Sequence, residues 1–223
     1  MKFAEIIKEA FGSGDITAVS IATTGLTAHD TVVGVWTRVA SIPSPDVSGK
    51  YRLDLSYSTA MVNAECPKDR ILQAYPYHGI SEAMVDLYAL TKDRLEMETR
   101  EVLGHAYTGT NLLLVYNLDF LRNFLARELN TWLTNNTRVI EITALVRLAV
   151  AGRALLLRNG DHMSTALMNA IQHIGPCSMP QMYRMLNIDP PTADKGIIPH
   201  QMCDIVHKAL ASILNTEIPV IRS

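Results

Sequence analysis

The side chains of this chain that could do chemistry are a few carboxylates and histidines beside predicted strand and helix ends. Asp15 and Asp30 lie on either side of the first apolar run, Asp119 follows a later one, and His200 and Asp204 lie on the last predicted helix. Carboxylate oxygens bind hard divalent cations, and a histidine can act as a general base. Each residue also has a structural explanation, since an acid in a first helical turn stabilises the helix dipole and a histidine at a helix start is often a cap or surface residue. Residue type alone therefore identifies no site.

The stretch Ala18–Leu26 reads Ala-Val-Ser-Ile-Ala-Thr-Thr-Gly-Leu, which is typical of a buried strand that runs into a tight turn at Gly25. It resembles the first motif of the DnaQ-like (DEDDh) 3′–5′ exonucleases, whose strand reads Asp-x-Glu-Thr-Thr-Gly-Leu. Residues 23–26 match this motif, whereas its Asp falls on Ser20 and its Glu on Ala22. The turn of the motif is present, and two of the acids that bind metal in the family are replaced.

A second segment is similar to the family motif His-Asn-x-x-Phe-Asp-x-x-Phe-Leu-x-x-Glu-Leu. The residues that match in register are Asn117, Phe120, Phe124, Leu125, Glu128 and Leu129. The metal-binding Asp of the motif falls on Leu121, and its His falls on Tyr116. A third acid of the family is therefore replaced as well.

The third family motif, His-x-Ala-x-x-Asp, has its best candidate at the start of the last predicted helix. His200 matches if Ile205 replaces the Asp, whereas Asp204 matches if Pro199 replaces the His. Both cannot be in register, because one residue along a helix is a rotation of about 100°.

A second candidate for this motif begins at His162, with Leu167 in place of the acid. In the family, four carboxylates hold two divalent cations that activate water and stabilise the phosphodiester in the transition state. At most one of the four is present here, so the resemblance implies an exonuclease-like domain that has lost catalysis. The positions that correspond to the family site are Ser20, Ala22, Leu121, His200 and Asp204.

The predicted elements follow the order βββ-αα-β-α-β-α-α after a short amphipathic N-terminal helix. The resemblance covers about residues 14–215 and implies a ribonuclease H-like α/β fold, with a mixed five-stranded sheet flanked by helices. We predict strands at Ile16–Ala22, Thr31–Ala40, Tyr51–Tyr57, Asn111–Tyr116 and Arg138–Ile142. The second and third are expected to run antiparallel to the first, and the fourth parallel to it as its neighbour.

The whole chain, residues 1–223, is predicted to form a single domain. The N-terminal helix occupies residues 1–13, and the core occupies residues 14–215. Residues 159–178 are expected to be an inserted helix and loop, preceded by a helix over Thr143–Leu157.

Composition favours a globular protein, with 48% hydrophobic residues, 19% charged residues and a net charge of −2. Lysine and arginine are scattered, and no basic stripe indicates duplex binding. The residues Cys66, Cys177 and Cys203 form no C-x-x-C pair, which favours free thiols in a reducing compartment. No apolar run has the length of a signal peptide or a membrane span, so we expect a cytoplasmic location and no membrane association.

The sequence leads us to expect a pseudo-exonuclease that binds a protein partner or acts as a scaffold, without a cofactor. One alternative is an active nuclease that uses magnesium or manganese on relocated acids, namely Asp15, Asp30, Asp119 and Asp204. Another is a protein that binds single-stranded nucleic acid without cleaving it, with Tyr77 or Tyr116 stacking on bases.

Overall fold

A central mixed sheet of six strands organises the fold, which is α/β with helices on both faces. The computed structural model describes residues 1–26, 29–107, 112–128 and 138–222, and the side chains of all of these except 102–107 and 126–128. The strands are β1 (Ile16–Thr23), β2 (Val32–Ser41), β3 (Asp54–Asn63), β4 (Ala89–Leu90), β5 (Leu112–Val115), β6 (Val139–Glu141), β7 (Leu155–Leu157) and β8 (Val220–Arg222). Their order in the main sheet is β4-β3-β2-β1-β5-β6, and β7 and β8 form a separate parallel pair.

Helices connect and cover these strands. They are α1 (Phe3–Phe11), α2 (Lys68–Gln73), α3 (Tyr75–His78), α4 (Glu82–Tyr88), α5 (Lys92–Tyr107), α6 (Leu118–Glu128), α7 (Ile142–Ala151), α8 (Met163–Ile174), α9 (Met179–Leu186) and α10 (Ile198–Ile213). A 3-10 turn, Ala193–Lys195, precedes α10. Among the described residues, no helix is both long enough and apolar enough to cross a membrane.

The pairing of the central strands agrees with two of the predictions. Strand β2 is antiparallel to β1, and β5 lies parallel to β1 on its other side. The expected direction of the third strand is wrong, because β3 pairs antiparallel with β2 and so runs in the same direction as β1. The sheet also has six strands where five were predicted, since the two residues of β4 pair with the end of β3.

Strand β3 lies further along the chain than predicted. The alternation of apolar residues from Tyr51 favoured a strand with one buried face, but the strand begins at Asp54. Leu55 and Tyr57 are 52% and 58% exposed, whereas its buried apolar residues come later. Alternation marks the two faces of a strand, but it does not reveal whether any other element covers the apolar face.

Strand β1 separates two apolar cores. Ala18 and Ala22 belong to the core that contains residues of α1, α7 and α10, whereas Val19 and Ile21 belong to the core beneath α5 and α6. Successive side chains of a strand point to opposite faces, so a strand covered on both faces has an almost continuous apolar sequence.

The predicted helix over residues 143–157 is too long at its end. Helix α7 ends at Ala151, where Gly152 takes the left-handed conformation (φ +59°) that terminates many helices. Leu155–Leu157 then form β7, which pairs with β8. An apolar run this short does not distinguish helix from strand, and its partner strand lies about 60 residues away. Helix α8 lies within the predicted insertion and packs against α1.

Candidate functional site

A cavity of about 250 Å³ opens at the carboxyl ends of the parallel strands β1 and β5. Its walls come from the end of β1, the segment after β5, the last residues of α3, the start of α6 and the N-terminal half of α10. The carboxyl ends of adjacent parallel strands are where ligands commonly bind in open α/β sheets. This cavity is therefore the candidate site.

Ser20 and Ala22 line the cavity from the face of β1 that α10 covers. Ser20 lies opposite Trp36 of β2, and the thiol of Cys203 in α10 contacts the carbonyl oxygens of Ala18 and Trp36. This close packing fixes α10 over the two strands. Ser20 is half-buried, and its hydroxyl is uncharged.

Leu121 borders the same cavity from the opposite layer of the molecule. Its side chain is 2% exposed and packs with Phe124 and the β1 residues Val19 and Ile21 beneath α6. Ser20, Ala22 and Leu121 all border the cavity, as expected, but Leu121 packs in the core on the other face of the sheet from Ser20, which counts against the alignment of the second motif at this position. At this position the floor of the cavity is formed by the side chain of Leu121, which belongs to the apolar core.

The residues of α10 that face the cavity are apolar, and neither predicted candidate is among them. Pro199, Met202 and Val206 line it at a spacing that places them along one side of the helix. Asp204 lies about 200° around the helix from Met202 and pairs with Arg38 of β2. Asp204, one of the two candidates for the third motif, therefore lies outside the cavity.

His200 is half-buried and also lies outside the cavity lining. The alternative candidate for the third motif also lies outside the cavity lining. His162 is exposed at the N-terminus of α8, and Leu167 is buried in the core against α1. The spacing of the apolar residues along α10 is the sequence signal that could have identified the side of the helix facing the cavity. The sequence analysis selected the acid Asp204 on another side of the helix.

The other acids named from the sequence are dispersed. Asp15 is exposed before β1, at the end of the strand remote from the cavity, and Asp119 is exposed on α6. The carboxylate of Asp30 lies against the turn at Gly25 and accepts a hydrogen bond from the hydroxyl of Thr24 at 3.1 Å. Within the described ranges, no group of three or more His, Cys, Asp or Glu residues is placed to hold a metal ion.

Aromatic and apolar side chains form the rim of the cavity. Tyr77 and Leu26 line it while remaining 80% and 83% exposed, and Tyr116 and Phe120 complete the rim. Burial raises the pKa of Tyr116, and the negative charge of Glu141 adds to this effect, so the phenol is neutral. Tyr77 and Tyr116, which the sequence nominated separately, share this one cavity.

His78 is a buried polar side chain of the cavity that the sequence analysis did not select. Its Nδ1 accepts a hydrogen bond from the backbone N–H of Ile80 at 2.9 Å, so the neutral ring carries its proton on Nε2. Burial lowers the pKa of His78 to about 4, and the nearby carbonyl of Ile71 offsets only part of this effect. Nε2 has no hydrogen-bond partner among the described residues.

The turn after His78 is sterically constrained. Gly79 adopts φ +69°, and a Cβ on it would lie 2.7 Å from the carbonyl oxygen of Gly196. A glycine is therefore required for α3 to approach the segment before α10. The His-Gly-Ile-Ser sequence was the signal that could have identified this cavity residue.

None of the described residues that line the cavity carries a charge at neutral pH. The hydroxyl of Ser20 is one of the uncharged polar groups in its lining. Such a cavity can bury an apolar or aromatic group and donate a hydrogen bond to it. It provides no carboxylate for a divalent cation.

No protein-family model and no curated protein matches this chain. The resemblance to the DnaQ-like exonucleases therefore depends on the motif residues, and the functional argument depends on the cavity.

Proposed function

We propose that this chain is a catalytically inactive, exonuclease-like domain with a ribonuclease H-like fold, and that it acts by binding a protein partner. The fold proposal is supported by the strand order and directions around β1. An antiparallel β1–β2–β3 meander is extended by β5 and β6, which run parallel to β1. Of these pairings, the antiparallel β1–β2 pair and the parallel β1–β5 pair are the two that the motif order led us to expect.

The loss of catalysis is supported by one observation, the uncharged floor of the cavity. Ser20, Ala22 and Leu121, which the motif resemblance aligns with three of the family carboxylates, all border it. A pair of divalent cations needs negatively charged oxygen ligands, because the two cations repel one another at short range. A hydroxyl group, a methyl group and a buried leucine do not supply them.

A binding role is supported by the exposed apolar residues beside the cavity. Leu26 and Tyr77 are mostly exposed, although they line a concave apolar site. Apolar anchors that enter pockets of this kind dominate many protein interfaces. A partner side chain buried in the cavity would cover these two residues.

The inactive state is tested with labelled single-stranded DNA and RNA in the presence of manganese. We expect no shortening from the 3′ end. Cleavage by the purified chain that is abolished by Asp204→Asn or His200→Ala would contradict the proposal and favour an active site built on relocated acids.

The binding role is tested by affinity purification from extracts of the native host, followed by mass spectrometry. A partner that uses the cavity should be lost from a Leu26→Ser, Tyr77→Ser double variant. Leu156→Ser is the matched control, since Leu156 is an exposed leucine on β7 away from the cavity. Retention of the partner by the double variant would exclude the cavity as the binding site.

A second candidate function is binding of single-stranded nucleic acid without cleavage. It is favoured by the three aromatic residues at the cavity rim, Tyr77, Tyr116 and Phe120, because bases stack on such side chains. Tyr77→Ala should then weaken binding of a labelled oligothymidylate by about 1–3 kcal/mol, the usual contribution of one stacked base. Tyr57→Ala on β3 is the control, and equal affinities of the two variants would exclude this function for the cavity.

A further inference from the structure

A second concave surface lies on the side of α9 away from the cavity. It is a groove of about 550 Å³ between α7 and α9, lined by Arg147, Cys177, Gln181, Arg184 and Met185. Tyr183 of α9 points the other way, where its hydroxyl contacts the sulfur of Met202 at 3.8 Å. The groove and the cavity therefore flank the same helix.

Two guanidinium groups are held at this groove by backbone carbonyls. Arg147 Nη1 donates to the carbonyl oxygen of Pro176 at 3.1 Å, and Arg184 Nε donates to that of Pro180 at 3.2 Å. Both arginines are exposed, and neither forms an ion pair with a carboxylate of the described residues. Each guanidinium has five N–H donors, so each has further donors available for a ligand.

Glu141 is an acid near the groove, since its charge acts on the thiol of Cys177. One carboxylate oxygen of Glu141 accepts a hydrogen bond from the hydroxyl of Thr143 at 2.9 Å, and the other faces the backbone N–H of Leu118 at 3.4 Å. Glu141 therefore satisfies groups at the start of α6 and α7. No carboxylate of the described residues lies within ion-pair distance of the two guanidinium groups.

The surface between the two arginines is mainly apolar. Met185 is 40% exposed there, and Cys177 is half-buried. The thiol of Cys177 contacts the carbonyl oxygen of Thr143 at 3.4 Å, and burial raises its pKa, so it is neutral. A methionine side chain adapts its shape to different apolar groups.

We propose that this groove binds an acidic peptide segment of the protein partner. Carboxylates of the segment pair with Arg147 and Arg184, and an apolar side chain between them packs on Cys177 and Met185. Planar guanidinium groups suit carboxylates because they can donate two parallel hydrogen bonds. This inference rests on the proposed protein-binding function and assigns that function a second contact surface.

The groove fits an acidic peptide better than a nucleic-acid strand. A strand presents a phosphate at every nucleotide and is bound along a track of cations, whereas this groove has two arginines separated by apolar surface.

The proposal is tested by selecting random twelve-residue peptides, displayed on phage, against the folded full chain. We expect the selected peptides to carry acidic residues on both sides of an apolar residue. Synthetic copies should bind, by fluorescence anisotropy, at least about ten-fold more weakly to an Arg147→Glu, Arg184→Glu double variant, as loss of two charged pairs would cause. Glutamine versions of the peptides should lose binding to the natural chain to a similar degree.

Arg153→Glu is the matched control, because Arg153 is an exposed arginine just beyond α7 and outside this groove. It should leave peptide affinity unchanged. The proposal is overturned if no peptide is selected, if the selected peptides lack acids, or if they bind the double variant as tightly as the natural chain. It is also overturned if labelled oligothymidylate binds more tightly than the peptides and requires the two arginines.

The result of the peptide experiment can be distinguished from the results of the tests of the proposed function. Manganese-dependent cleavage would refute the inactive-domain proposal without altering the peptide result. If no peptide is selected but a native partner is still captured through Leu26 and Tyr77, only the peptide-binding proposal for the groove is refuted.

Discussion

Asp204 of α10 forms an ion pair with Arg38 of β2 on the side of the helix turned away from the cavity. Their side chains are 31% and 23% exposed, so the pair is partly shielded from solvent. The acid that best matched a metal-binding motif in the sequence therefore joins a helix to the sheet. Its position gives it a structural role and leaves the cavity uncharged.

We predict that a double-mutant cycle on Arg38→Gln and Asp204→Asn yields a coupling energy of about 1 kcal/mol. Each single variant leaves the other charge partly buried and unpaired, so the two effects should not add. Urea unfolding of the four proteins measures this energy. Arg52 and Asp54, an exposed ion pair, should couple more weakly in the same experiment. Additive effects at Arg38 and Asp204 would contradict the structural role.

Restoring the family acids should destabilise the protein, with Leu121→Asp having the largest effect. Leu121 is buried in the core beneath α6, so an aspartate there loses packing and buries a charge, at a cost of more than about 3 kcal/mol. Ser20→Asp and Ala22→Glu should each cost less because they lie beside an open cavity. Thermal unfolding without metal measures all three.

Leu121→Asn separates the two contributions, since it removes the packing without adding a charge. We expect it to be less destabilising than Leu121→Asp above pH 5. If the triple variant melts at the same temperature as the natural chain, the three positions do not share one low-dielectric site.

We predict that manganese does not stabilise the natural chain specifically. A site with a Kd of roughly 10 μM would contribute about 2.7 kcal/mol at about 1 mM metal. For a domain of this size, that corresponds to a rise in Tm of roughly 5 to 10 °C. Differential scanning fluorimetry with and without EDTA checks this, with calcium as the comparison cation. A manganese-specific rise abolished by Asp204→Asn would contradict the proposed function.

The free energy of unfolding should fall as the pH is lowered from about 6.5 to about 4. The pKa values of His78 and His207 are both lowered from 6.5 to about 4, mainly by burial and, for His207, also by the positive charge of Arg38. The unfolded chain binds protons in this interval that the folded chain does not, so stability is complete above the interval and lost below it. The loss should be at most about 3 kcal/mol for each histidine.

His207→Leu checks the contribution of the second histidine. Both of its ring nitrogens lack hydrogen-bond partners in the described part of the chain, so leucine should flatten the pH dependence without leaving a buried donor. His173→Leu on the exposed surface of α8 is the control. Parallel pH profiles for the His207→Leu variant and the natural chain would show that His207 is not buried as a neutral ring.

Local patterns in the sequence predicted most strands of the main sheet. The apolar run of β1 and the run of β5 each specified a strand covered on both faces, and the two pair in parallel as expected. The periodicity of apolar residues was less informative where the structure of a segment depended on a strand far away in the sequence. Leu155–Leu157 became a strand because β8 lies beside it, and β3 begins at Asp54, which pairs with Ser41 at the end of β2.

The residue types at Ser20, Ala22 and Leu121 already excluded a carboxylate at three positions, since side-chain charge is a property of the sequence alone. The direction in which each of these side chains points could be determined only from the tertiary structure. One helical residue is about 100° of rotation, so only the docking of α10 on β1 and β2 could turn Met202 toward the cavity and Asp204 toward Arg38. The same dependence on packing placed Leu121 in the far core and brought Tyr77, His78 and Tyr116 to one cavity from segments about 40 residues apart.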